Sequence, residues 1–92
     1  MNRIKAVDHI LAAPCFDPHR ETIARYDDDH GVNAAGLLAN LYWSSGERAL
    51  LEMAAHINDP SRLPGDLTRL PEPDRRRAIQ ALGMALDTKE NA

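Results

Sequence analysis

The chain has 92 residues and a formal charge of -3, from 11 basic and 14 acidic side chains. It is 43% apolar but only 4% aromatic, and it holds one cysteine, Cys15. These figures exclude a multidomain enzyme, a repeat array and a disulfide scaffold, and no run of about 18 apolar residues is present for a membrane span.

Ala and Leu carry most of the apolar content while Val and Thr are few, which favours helix over sheet. A chain of this size buries about 64% of the surface its open form exposes, enough for one modest core. The expected fold is therefore all-α: a bundle of four to five short helices with a Pro-rich ordered loop before the last, in one helical domain over 1–92.

Ile4, Val7, Ile10 and Leu11 fall on one stripe and predict a first helix over 4–13. Pro14 stops it, because proline disfavours helix in the residue before it. Asp8 and His9 interrupt the apolar run behind Arg3 and Lys5, so the N-terminus lacks the pattern of a secretory signal. With one thiol and no such signal, the expected location is the cytoplasm.

A second helix is expected from Asp17 or Pro18 to His30, with Asp17 as N-cap, Pro18 in the first turn and Gly31 as the left-handed cap. A third starts at Asn33, with Ala34, Leu37, Leu38, Leu41 and Tyr42 as its apolar stripe. Ser44 and Glu47 fit a capping box, so a fourth helix runs from there to about Ile57. Leu50, Met53, Ala54 and Ile57 form its core stripe, and Arg48 with Glu52 is an i,i+4 pair on its outer face.

Residues 58–73 hold four prolines and predict an ordered loop with one helical turn near Asp66–Leu70, pinned to the bundle by Leu63, Leu67 and Leu70. The last helix is expected over about 72–87, with Ile79, Leu82 and Leu86 as its core stripe, and residues 88–92 as a frayed tail.

No catalytic constellation stands out. Cys15, His19 and His30 lack the second cysteine pair or HExxH spacing of a zinc site, and Cys15 with His19 lacks a third orienting group. Asp27-Asp28-Asp29 lacks the ligand order and glycine of a calcium loop. Neither a metal nor a cofactor is expected, and the chain is not expected to be an enzyme.

Trp43 points away from Leu41 on a helical wheel, and Leu51 and Ala55 share a face off the main stripe of the fourth helix. These three predict a small exposed apolar patch, a common mark of interaction sites. Arg75, Arg76 and Arg77 oppose the dipole at the start of the last helix and offer a polar rim or an anion site.

The expected function is non-catalytic protein–protein binding, as an adaptor, assembly subunit or inhibitor. The partner is another protein or a second copy in a homodimer, with no membrane and no nucleic acid. The alternative is a DNA-binding regulator using residues 20–43 as a helix-turn-helix. It is disfavoured because the reader helix after Gly31 contains no Arg or Lys and three aspartates precede it.

Overall fold

The computed structural model describes residues 2–86, so the expected tail at 88–92 lies outside the described residues. Five α-helices and one two-stranded hairpin follow one another: α1 (Asn2–Leu11), α2 (Arg20–Ala24), β1 (Asp27–Asp28), β2 (Gly31–Val32), α3 (Ala34–Asn40), α4 (Ser45–Asn58) and α5 (Glu72–Leu86). About 70% of the chain is helical. The radius of gyration is 12.2 Å, which matches the value of about 12 Å for a compact chain of this length.

α4 begins where the sequence predicts. The Ser44 hydroxyl accepts the Glu47 N–H at 3.3 Å, and the Glu47 carboxylate accepts the Ser44 N–H at 2.9 Å. Two of the helix's orphan donors are thus satisfied reciprocally. Leu50, Met53, Ala54 and Ile57 are all buried, as expected, together with Ala49, Leu51 and Ala55. Seven buried residues in a 14-residue helix make α4 an element packed on most of its circumference.

α1 lies against both α4 and α5, and α3 covers another side of α4. Val7, Ile10 and Leu11 of α1 are buried. Its C-terminal end is closed by a side chain rather than a glycine. The Arg20 guanidinium donates to the carbonyl oxygens of Leu11 and Ala13 while Asp17 holds it at 2.7 Å. A cation there answers both the orphan carbonyls and the helix dipole.

The segment 14–33 departs from expectation. Pro14–His19 forms a 3-10 helix with Pro18 inside it, and α2 starts only at Arg20 and ends at Ala24. The expected continuation to His30 is a hairpin, with Asp27 paired to Val32 and Asp28 to Gly31. Asparagine and aspartate side chains compete with helical backbone bonds. Here Asp28 accepts the His30 N–H at 2.7 Å and so closes the turn itself. Gly31 takes φ 95°, which suits glycine as expected, but it serves the hairpin and not a helix cap. Residues 20–43 therefore fold as a five-residue helix, a hairpin and a seven-residue helix, not as the helix-turn-helix of the alternative reading.

α3 is N-capped by Asn33, which accepts the Gly36 N–H at 3.0 Å. It stops at Asn40: Leu41 is extended and Tyr42 is fully exposed, so neither belongs to the core stripe expected of them. The loop after α4 carries the predicted turn as a 3-10 helix at Leu67–Arg69, capped by Asp66. Leu70 is buried and Leu67 half-buried, but Leu63 points into solvent and pins nothing. Gly65 does the anchoring near it. A Cβ there would collide with the carbonyl oxygen of Ala49, so only glycine lets the loop lie this close to α4.

α5 meets the predicted bounds but is rotated. Its buried positions are Ala78 and Ala81, while Ile79 and Leu86, expected in the core, are 56% and 71% exposed. Two bonds set the rotation. Arg77 donates to the His9 carbonyl at 3.0 Å, and Gln80 meets the His9 ring at 3.0 Å. With alanines facing inward α5 approaches α1 closely, and the larger side chains are turned out. No helix among the described residues is long and apolar enough to cross a membrane.

Candidate functional site

The predicted patch does not exist on the surface. Trp43 is 7% exposed, and Leu51 and Ala55 are fully buried. The cause is that α3 ends before Trp43, so the helical wheel used to orient the indole does not apply to it. In the extended stretch between α3 and α4 the ring turns inward. Its Nε1–H donates to the Leu37 carbonyl at 2.9 Å, and the ring makes T-shaped contacts with Phe16 at 5.9 Å and His19 at 5.0 Å.

The arginines of the last helix also separate. Arg76 pairs with Glu72 at 2.5 Å, one turn away on the same helix. Arg77 is spent on the His9 carbonyl, and Arg75 stands exposed. They do not converge on one anion, and they do not border Trp43, Leu51 or Ala55 as a rim.

His19, Trp43 and Glu47 form a small cluster where the 3-10 helix meets α4. The His19 ring nitrogen lies 3.4 Å from the Glu47 carboxylate. Burial opposes ionisation of Glu47, but the backbone and hydroxyl of Ser44 and the nearby His19 outweigh it and hold its carboxyl below the usual range. Nearby, burial pushes the Cys15 thiol up, and the charges of Asp74 and Glu47 add to the rise. A nucleophilic cysteine needs the opposite shift. Among the described residues no three His, Cys, Asp or Glu side chains gather as a metal's ligands would.

A surface cleft of about 440 Å³ lies between α3, α4 and the loop that follows α4. Ala35, Leu38, Ala39 and Ala55 form its apolar floor, and Arg48, Glu52, Arg62 and Leu63 stand around its mouth. Of the residues expected from sequence to bind a partner, Ala55 alone reaches it. Arg48 and Glu52, expected to pair, are not within ion-pair distance, and neither Arg48 nor Arg62 has a carboxylate partner among the described residues.

Local bonds fix the outer wall of the cleft. Asp59 accepts both the backbone and the hydroxyl of Ser61, at 3.1 and 2.7 Å. His56 Nδ1 lies 2.6 Å from the Arg62 carbonyl oxygen, which can only accept, so this nitrogen carries the proton. Leu63 follows this turn and is 87% exposed. Sequence spacing cannot place Leu63, because it lies in no helix, but its position between Arg62 and Pro64 in a loop marks a residue no helical face accounts for. No family model, curated protein or solved structure matches the chain.

Proposed function

We propose that the protein acts in the cytoplasm by binding another protein, as an adaptor, an assembly subunit or an inhibitor, and that the cleft between α3 and α4 is its binding surface. The observation that carries this reading is Leu63, a leucine held in solvent at the mouth of a cleft floored by alanine and leucine. Full burial of such a side chain is worth about 1.5–3 kcal/mol, which a partner covering it recovers. Arg48 and Arg62 suit carboxylates flanking an apolar anchor on the partner. The cytoplasmic location rests on the single thiol, which leaves no internal disulfide to form.

Leu63→Glu and Ala39→Arg test this. Both positions are exposed, so both variants keep the fold. Affinity capture from the native cell with quantitative mass spectrometry should find a partner on the parent chain that both variants lose. A partner held equally by all three chains overturns the assignment of the cleft.

A further inference from the structure

The loop after α4 carries a short repeat. Asp59-Pro60-Ser61-Arg62-Leu63-Pro64 is followed, after Gly65, by Asp66-Leu67-Thr68-Arg69-Leu70-Pro71, so Asp-x-Ser/Thr-Arg-Leu-Pro occurs twice. Both copies open with the same turn. Asp59 accepts the N–H and hydroxyl of Ser61 at 3.1 and 2.7 Å, and Asp66 accepts those of Thr68 at 3.0 and 2.6 Å. The leucines differ. Leu70 is 4% exposed, at the end of a turn that packs on α4 and α5, whereas Leu63 is 87% exposed. One copy of the motif is docked within the chain, and the other presents the same side chain to solvent.

We propose that a second copy of this chain receives it: Leu63 of each protomer enters the cleft between α3 and α4 of the other, making a two-fold homodimer. This rests on the cleft being the binding surface and names its occupant. Knob and hollow share one patch, since Leu63 stands at the mouth of a cleft floored by alanine and leucine. A two-fold rotation therefore fills both clefts at once, as an interface in which one patch serves both subunits requires.

Charge favours a second copy over an acidic partner. Arg48 and Glu52 stand one turn apart on α4 at the same mouth, and neither makes an ion pair among the described residues. A partner offering only carboxylates would suit Arg48 and Arg62 but repel Glu52. Two α4 helices crossing antiparallel set each Arg48 toward the partner's Glu52, which satisfies both signs. The patch is small, so the dimer is weak and concentration-dependent.

Sedimentation equilibrium of the full chain over a concentration series tests the pairing. The parent should show a monomer–dimer equilibrium. Leu63→Glu, Arg48→Glu and Glu52→Arg should each raise the dimer dissociation constant at least about tenfold with the helical circular dichroism unchanged. The chain carrying both Arg48→Glu and Glu52→Arg should regain association, because the reversed charges meet again across the axis. That rescue guards against a single variant that weakens the dimer by disturbing the fold. A parent that stays monomeric up to about 1 mM, a dimer indifferent to Leu63→Glu, or a double reversal that does not restore association overturns the proposal. A monomeric parent that holds a different protein through Leu63 and Ala39 would remove the second copy and leave the cleft as the binding surface, so the two failures are told apart.

Discussion

Replacing Trp43 by alanine would remove a ring packed between Phe16 and His19 and strip the Leu37 carbonyl of its donor. Truncating a buried tryptophan costs about 3–5 kcal/mol. Trp43→Ala should therefore lose stability in that range in a urea titration, and Leu50→Ala, at a fully buried site in α4, should lose about 2–5 kcal/mol. Glu47 adds a pH dependence. Its folded carboxyl titrates below the ordinary value of 4.5, so its ionised form contributes stability above that value, and the contribution is lost as pH falls through the lower folded value. Acid unfolding of the parent should show this loss below about pH 4.5, and Glu47→Gln should flatten it while lowering stability at neutral pH by about 1 kcal/mol. A Glu47→Gln chain with the parent's acid profile would show that the capping box carries no charge-dependent stability.

At the scale of elements, α4 and the hairpin stand at opposite ends of what the sequence discloses. The capping box and the stripe of α4 are local signals, and the helix forms where they say. The hairpin is not foreseen, because the helical pattern of Ile23, Ala24 and Tyr26 runs into Asp27-Asp28-Asp29, and the turn depends on a side-chain bond at Asp28 that spacing does not reveal. Gly31→Ala tests the hairpin directly. Alanine at φ 95° is strained, and its Cβ would stand 3.3 Å from Ile4, so the change should cost about 1–3 kcal/mol. A neutral Gly31→Ala in thermal melts would mean that the turn relaxes without it. α5 shows a different limit. Its bounds are legible, but two apolar faces are written on it, and which turns inward is decided by Arg77 and Gln80 finding His9, 68 and 71 residues away. The cleft is hidden for a related reason. Its wall is the turn held by Asp59 and His56, whose side-chain bonds spacing does not reveal, and Leu63 stands exposed beside it.

The whole molecule presents a net charge of -3 and a seven-residue α3 that carries no Arg or Lys. A duplex-binding surface needs cations set against phosphates. In a mobility shift at about 150 mM salt the chain should show no sub-micromolar, sequence-preferring complex with duplex DNA. Such a complex would restore the DNA-binding reading. The cleft between α3 and α4 is where we propose that a partner seats. Amide hydrogen exchange on the complex with the captured partner tests that most directly. It predicts slowed exchange in α3 and in residues 58–66, with α1 unchanged from the free chain. Protection confined to other elements, with 58–66 exchanging as in the free chain, would contradict it.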